Sequence, residues 1–240
     1  MGVPLSFRFH GELNDFLLPA RRNTEFEYVA GETDTLKHVI ESLGVPHTEI
    51  GGVTVNGQDC SLSEKSPASS KVQVFPYSLP IFLESPRFVL DGHLGRLAAY
   101  LRMIGFDTWY DRCADDALLA SVASSEQRVL LTRDVGLLKR REVESGYCVR
   151  SDLPRIQLGE VSRRFALHSQ LAPFHRCMKC NAPLYSVEKA EVADQLPPHT
   201  RETKNEFSRC SNCGQIYWRG SHHARMSGWI EALSREADTA

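Results

Sequence analysis

The segment FVLDGHLGRLAAYLRMIGFDTWYD, residues 88–111, decides the fold of the larger part of the chain. One short apolar stretch in it ends at Asp91, and a second ends at Asp111. Between them, apolar residues at helical spacing predict a helix that Gly105 ends: Leu94, Leu97, Ala98 and Leu101. A strand, a helix and a strand in this order indicate a parallel sheet of the α/β class.

The alternation of strands and helices continues after this segment. It predicts a helix over 115–127, a strand over 128–134 ending in Asp134, a helix over 135–146, a strand over 147–150 and a helix over 157–171. From Arg176 onward the chain has paired cysteines, short strands and loops, as in a zinc ribbon.

The first 80 residues follow a different pattern, that of an α+β domain. Strands are predicted over 3–9, 25–29, 52–58 and 71–77, and the third ends in the turn-forming pair Asn56-Gly57. A helix is predicted over 33–43, with Thr33 as its cap and Gly44 as its end. The order strand, strand, helix, strand, strand indicates a ubiquitin-like β-grasp fold.

The sequence therefore predicts several modules. They are a β-grasp domain over 1–80, a linker over 81–86, a parallel-sheet α/β domain over 87–172, a zinc ribbon over 173–228 and a C-terminal tail over 229–240. Charge also divides the chain, because residues 1–84 hold 6 Lys and Arg against 11 Asp and Glu, whereas the rest holds 22 against 19. The mild basic excess of the second part is compatible with nucleic-acid binding.

Two CxxC pairs predict a metal site. A CxxC turn brings two thiolates to one ion, and two such turns complete the closed Cys₄ shell of a structural zinc: Cys177, Cys180, Cys210 and Cys213. The single cysteines are expected to be buried thiols: Cys60, Cys113 and Cys148. The N-terminus has no basic segment followed by an apolar one, and no run approaches the ~18 apolar residues of a membrane span. We therefore expect a cytoplasmic protein without membrane contact.

Acidic residues end three predicted strands, namely Asp91, Asp111 and Asp134, and Asp115 and Asp116 begin the helix after the second. Because ligands bind at the carboxyl edge of an open parallel sheet, these carboxylates form a candidate Mg²⁺ or Mn²⁺ site. Capping of the helices that follow would explain the same residues without any metal. Arg96 and Arg133 are candidate phosphate contacts, whereas a solvated helix face explains the basic run 139–141 equally well.

Three segments occurring in this order carry a resemblance to a known family: LDGHLGRLA, LLTRD and CGQIYWRGSH. Over about residues 87–228 the chain resembles the Mut-seven C-terminal RNase family, which is similar to PIN-like nucleases with an added zinc ribbon. The resemblance implies a ribonuclease in which Asp91 and Asp134 are metal ligands, with Asp116 or Asp115 as the third. Asp111 is added only from its strand-end position.

We expect the ribbon to help hold RNA by stacking and charge, through Tyr217, Trp218, Arg219, His222 and His223. Core packing would explain the two aromatic residues equally well, and the histidines are either spare metal ligands or surface residues. The N-terminal part resembles the β-grasp domain that precedes this RNase domain in some bacterial proteins, and the sulfur carriers MoaD and ThiS.

We therefore expect a metal-dependent ribonuclease with an RNA substrate. The alternatives are an inactive RNA-binding module and an adaptor or sulfur-carrier-related protein built on the β-grasp domain. Sulfur carriers end in Gly-Gly, whereas Gly51-Gly52 lies inside this domain. A role in docking a protein or RNA therefore fits the β-grasp domain better.

Overall fold

The computed structural model describes residues 2–65, 67–78 and 80–237. The chain divides into two compact units, each built from two separate segments. The first unit contains Met1–Ile81 and Asp115–Cys148, and the second contains Phe82–Ala114 and Val149–Ala240.

The strands, in chain order, are β1 (Val3–Phe9), β2 (Glu25–Ala30), β3 (Ile50–Val55), β4 (Gln58–Asp59), β5 (Ser70–Pro76), β6 (Arg87–Leu90), β7 (Asp107–Tyr110), β8 (Val129–Thr132), β9 (Gly146–Cys148), β10 (Leu184–Val187), β11 (Phe207–Cys210) and β12 (Ile216–Trp218). The helices are α1 (Leu36–Ser42), α2 (Gly95–Met103), α3 (Asp116–Ser125), α4 (Val135–Leu138), α5 (Pro154–Arg164), α6 (Lys189–Val192), α7 (Pro198–Thr203) and α8 (Ser221–Ala237).

The first five strands form one mixed sheet in the order β2-β1-β5-β3-β4. Strand β1 runs parallel to β5, and the other pairs are antiparallel. The buried faces of these strands and of α1 share one apolar core that includes Phe7, Ile40 and Val74. This is the β-grasp topology that the alternating segments predicted.

Local turns position α1 and β4 in this domain. Asn56 and Gly57 have φ values of +52° and +83°, as a two-residue hairpin between β3 and β4 requires. The predicted cap of α1 was wrong by two residues, because Thr35 and not Thr33 accepts the hydrogen bond from the His38 backbone N–H. Asp34 instead accepts from the Gly31 N–H and closes a turn ahead of the helix.

Parallel strand pairs confirm the α/β class of the second module. In the first unit β8 runs parallel to β9, and in the second unit β6 runs parallel to β7. The helix predicted over 135–146 is shorter, since α4 ends at Leu138 and turns follow it. Val143 in those turns is fully buried, so tertiary packing replaces further helical turns there.

The second unit departs from prediction near its later helices. The helix predicted over 157–171 begins earlier and ends at Arg164, because Ala166 has a φ of +50°. A 3-10 turn, Leu167–Gln170, follows it. The ribbon, predicted to be rich in loops, places α6 and α7 between β10 and β11, and α8 follows β12.

Candidate functional site

The two CxxC segments fold into matching turns. In each turn the first cysteine's N–H donates to the carbonyl five residues later, at 2.8 Å from Cys177 to Ala182 and at 3.0 Å from Cys210 to Gln215. The residue after each pair, Asn181 or Gly214, has a φ of +72° and donates its N–H back to the first cysteine's carbonyl. Asparagine and glycine are the residues that tolerate this left-handed conformation.

The turns bring the four cysteine Sγ atoms within 4.8 Å of one another. Cys177 Sγ lies 3.7 Å from Cys213 Sγ, and Cys180 Sγ lies 3.3 Å from Cys210 Sγ. A tetrahedral zinc with bonds of about 2.3 Å holds its sulfur atoms about 3.8 Å apart, so the cluster fits that ion. Within the described ranges, this is the one group of three or more metal-ligating side chains this close together.

Further donors surround the thiols. The Asn212 and Cys213 backbone N–H groups each lie 3.4 Å from Cys210 Sγ, and the Tyr217 hydroxyl lies 3.2 Å from Cys177 Sγ. Burial, together with the contact to Cys177, raises the pKa of Tyr217. A protonated hydroxyl can donate to a thiolate and offset its charge. Trp218 instead packs partly buried against the apolar core of the ribbon.

Arg102 on α2 joins the zinc ribbon to the rest of the second unit. It is only 5% exposed, and its guanidinium donates two hydrogen bonds to the Thr108 carbonyl. Its Nη1 donates to the Met178 and Lys179 carbonyls inside the first CxxC turn. Burial lowers the pKa of Arg102, while the charges of Cys180 and Cys177 act in the opposite direction. No sequence motif marked Arg102 for this role.

Asp107 at the start of β7 provides a second connection to the ribbon. Its carboxylate accepts from the Asn181 side-chain amide at 2.9 Å and lies 3.7 Å from the Arg176 guanidinium. Asn181 in turn accepts from the Thr108 backbone N–H at 3.0 Å. Asn181, the residue of positive φ in the first CxxC turn, therefore also binds the backbone of β7. Together with Arg102, it fixes the ribbon to β7 and α2.

Asp91 and Asp111 lie at one edge of the second unit's strand pair. Leu90 pairs with Tyr110 in parallel register, so the two acids follow neighbouring strand ends. Asp91 begins a 3-10 turn, Gly92–Leu94, but its side chain does not cap that turn. The exposed Asp111 accepts from the Cys113 backbone N–H at 2.9 Å. Capping therefore does not account for Asp91.

In the first unit, Asp134 and Asp115 are helix caps. Asp134 Oδ1 accepts from the Gly136 and Leu137 N–H groups at the start of α4. Asp115 Oδ1 accepts from the Leu118 N–H at the start of α3. Asp116 is the first residue of α3 and is exposed. Both caps use Oδ1 of their carboxylate.

Comparison with known protein families identifies the family to which the chain belongs. The family model described as Mut7-C RNAse domain matches residues 86–230, more than half of the chain. The chain belongs to this family. A second model, described as Mut7-C ubiquitin, matches residues 2–81. No curated protein and no solved structure matches the chain. The Mut7-C RNase match supports a nuclease role, and the four cysteines of the matched region could bind zinc.

The other residues predicted to contact RNA in this Mut7-C protein differ in their surroundings. Arg96 and Arg133 are exposed, Arg219 forms an exposed ion pair with Glu206 at 3.1 Å, and His222 is exposed in the first turn of α8. The His223 ring stacks on Phe174 at 4.2 Å between ring centroids. Burial and then the charge of Arg219 lower the pKa of His223.

The single cysteines correct one expectation. Cys148 is buried, but Cys60 is half-buried and Cys113 is exposed. Cys113 lies in the turn that Asp111 closes by accepting from its backbone N–H. No helix in the described part of the chain has the length and apolar character needed to cross a membrane.

The Mut7-C ubiquitin domain contacts the nuclease segment of its own unit through polar side chains. His47 lies 2.7 Å from the Val143 carbonyl and 2.7 Å from the Glu41 carboxylate. Lys139 donates to the Glu41 carbonyl at 2.7 Å, and burial lowers the pKa of that ammonium, with Glu41 acting against this. These contacts fix the turns that follow α4.

Glu49 is the most deeply buried acid of this contact. It is 0% exposed, and its carboxylate accepts from the Cys148 backbone N–H in β9 at 2.6 Å. A buried carboxylate that accepts a backbone N–H ties the two chain segments together strongly, since losing the bond would leave a polar group buried. No sequence motif marked His47 or Glu49 for this role.

Proposed function

We propose that this protein is a metal-dependent ribonuclease that hydrolyses RNA phosphodiester bonds. The observation that carries the proposal is the RNase family match over 86–230, a stretch that includes Asp91 and Asp111 at neighbouring strand ends. Asp91 is the central residue of the proposal, because it lies in the matched stretch and directly follows the end of β6.

We propose Asp91, Asp134 and either Asp116 or Asp115 as the ligands of Mg²⁺ or Mn²⁺, with Asp111 as a further candidate. Their oxygen donors suit these hard cations, and the hydrogen bonds of the Asp134 and Asp115 caps use only Oδ1. When bound, the ion would activate water and offset the charge that develops on the phosphodiester. The carboxylates would orient that water, and Arg96 and Arg133 would hold the phosphate.

The zinc would have a structural role, because four thiolates leave no open position for a substrate. Ribbon residues Trp218, Arg219, His222 and His223 would add stacking and charge along the RNA. A protein that keeps four thiols for a metal suits a reducing compartment, so we place its action in the cytoplasm.

A cleavage assay on labelled single-stranded RNA, structured RNA and DNA tests the proposal. We expect Mn²⁺-dependent RNA cleavage that falls at least about 100-fold in Asp91→Asn, since a metal ligand contributes several kcal/mol to the transition state. Asp59→Asn, an exposed acid in β4, is the matched control and should cleave like the wild type. Zinc content should be equal in all three proteins.

Two results would count against the nuclease. Cleavage that persists in both Asp91→Asn and Asp134→Asn would remove the metal-ligand assignment. RNA binding without cleavage of any substrate would favour the second candidate, an RNA-binding module that has kept the fold but not the chemistry.

For the ubiquitin-like domain we propose protein docking rather than sulfur transfer. Gly51 lies where the register of β3 shifts, and a Cβ there would come within 2.5 Å of the Pro76 carbonyl oxygen. Close packing therefore explains this glycine without carrier chemistry. Strand β2 is an edge strand whose Val29 is 65% exposed, and such an edge can pair with a strand of a partner.

A further inference from the structure

An open cavity of about 640 Å³ lies in the second unit, beside the ends of β6 and β7. Its lining includes His93 and Arg96, which follow β6, and Tyr110 and Arg112 at the end of β7. Asp152, which lies two residues before the start of α5, also belongs to the lining. The volume is within the range of about 300–1,000 Å³ that is typical of small-ligand sites.

The basic side chains of this cavity are available to a ligand. In the described ranges, no hydrogen bond or ion pair engages the side chains of His93, Arg96 or Arg112, and all three residues are exposed. They face a single acid of the lining, Asp152, which has other interactions. A concave surface with more unpaired basic groups than acidic ones attracts anions.

Two glycines shape the wall of the cavity. A Cβ on Gly95 would lie 2.6 Å from the Tyr110 hydroxyl, and one on Gly92 would lie 2.7 Å from the Arg112 carbonyl oxygen. The Tyr110 hydroxyl donates to the Gly92 carbonyl at 2.8 Å. The backbone at the start of α2 therefore lies against the end of β7, which fixes the strand end that carries Arg112.

The cavity lies beside two of the acids that we propose as metal ligands. Asp91 directly precedes Gly92, and Asp111 lies between Tyr110 and Arg112, all at the same end of the paired strands. An anion in the cavity would therefore lie next to Asp91 and Asp111, two of the carboxylates that we propose as metal ligands.

We propose that this cavity binds one nucleotide of single-stranded RNA through its phosphate, with Arg96 and Arg112 as the principal contacts and His93 as a further donor. This inference rests on the proposed ribonuclease function and names the part of the substrate that the second unit holds. Guanidinium groups suit a phosphate, because their planar fork can donate two parallel hydrogen bonds to two of its oxygens. Phosphate contacts position the chain of nucleotides without reading its sequence.

Binding of a short fluorescein-labelled single-stranded RNA to the full-length protein, without added divalent metal, tests the proposal. We expect Arg96→Ala and Arg112→Ala each to raise Kd about tenfold, the effect of one charge-assisted hydrogen bond. The logarithm of the association constant falls linearly with the logarithm of the salt concentration. Each variant should make this negative slope less steep by about 0.7, as expected for the loss of one phosphate contact on a single strand. Uridine monophosphate should compete with the RNA, and uridine should not.

Arg87→Ala is the matched control, because Arg87 is exposed at the opposite end of β6. We expect its Kd to stay within about twofold of the wild-type value. Unchanged zinc content and melting temperature would show that each variant is folded. The proposal is overturned if the wild type does not bind the RNA, if both cavity variants bind like the wild type, or if Arg87→Ala loses as much affinity as they do.

These experiments distinguish an error in the cavity assignment from an error in the proposed nuclease activity. If the wild type cleaves RNA but Arg96→Ala and Arg112→Ala keep full affinity, the cavity assignment is wrong and the ribonuclease stands. If no RNA is cleaved with Mn²⁺ while both variants lose affinity and Arg87→Ala does not, the cavity is confirmed and the proposed catalysis is wrong.

Discussion

The four cysteines and the five acids were both predicted from sequence as metal ligands, but they are built differently. The cysteines come from two matching turns, and their sulfur atoms lie close together because each turn makes its own hydrogen bonds. The acids come from separate strand ends and helix starts. Asp115 and Asp134 have a structural use as caps, whereas Asp91 does not cap the turn it begins.

This difference shows what a local motif can specify. A CxxC turn contains its two ligands and the residue of positive φ that closes it, so its geometry depends on few other residues. An aspartate after a strand has at least two possible roles, and the sequence around it is the same in both. Removing Arg102 tests whether the CxxC turns hold zinc without support from α2. Substituting Asp134 tests whether helix capping and metal binding can be separated.

Removing one zinc ligand should have the largest effect. We expect Cys180→Ser to lose bound zinc and to unfold the ribbon, because binding of a structural zinc contributes on the order of 10 kcal/mol. Zinc content by atomic absorption and thermal unfolding would measure this. Cys113→Ser, an exposed cysteine outside the cluster, should keep both zinc and melting temperature. Full zinc in Cys180→Ser would mean that the cluster is not the site.

Arg102→Met tests whether the zinc turns are truly local. We expect it to lower the free energy of unfolding by about 2–4 kcal/mol, because the buried Thr108 carbonyl and the partly buried Met178 and Lys179 carbonyls lose their donor. Chelator should also extract zinc faster than from the wild type. Arg96→Met on the same helix, where the arginine is exposed, is the stability control. Equal zinc release in both variants would show that the turns hold the metal without α2.

Asp134 variants separate capping from metal binding. Asp134→Ala should lower the free energy of unfolding by about 1 kcal/mol, because α4 loses its cap, whereas Asp134→Asn should keep stability because asparagine also caps helices. Chemical denaturation would measure both. Cleavage should be lost in the two variants alike if the carboxylate binds the catalytic ion. Normal cleavage by Asp134→Asn would leave Asp134 with the capping role alone.

The smallest expected effect is the pH response of His223. Its pKa is lower in the folded protein than the ordinary value of about 6.5, so the unfolded chain binds a proton first as pH falls. The stability that His223 contributes is therefore fully present above about pH 6.5 and decreases as the pH falls below that value. His223→Phe keeps an aromatic ring on Phe174 and removes the titration. Its melting temperature should fall less than that of the wild type between neutral and mildly acidic pH.

Features that close within a few residues were predictable from the sequence, whereas features that depend on distant contacts were not. The hairpin at Asn56-Gly57 and the stop of α2 just before Gly105 were predicted from turn chemistry, and both glycines have positive φ. Helix lengths were less accurate. The pattern over 135–146 looked helical, but α4 ends at Leu138, where His47 binds the Val143 carbonyl of the turns that follow.

The sequence by itself determined the β-grasp order, the α/β class, the family and the pairing of the cysteines. The element order, the fold class and the CxxC turns depend on short-range periodicity or on turns that close within a few residues, whereas the family follows from the resemblance of three motifs in order. Only the tertiary structure decided the roles of Arg102, Glu49 and the cavity beside Asp91. Arg102 binds carbonyls 76 and 77 residues away, and Glu49 binds an N–H 99 residues away. Such bonds depend on how distant segments pack, which local spacing does not encode.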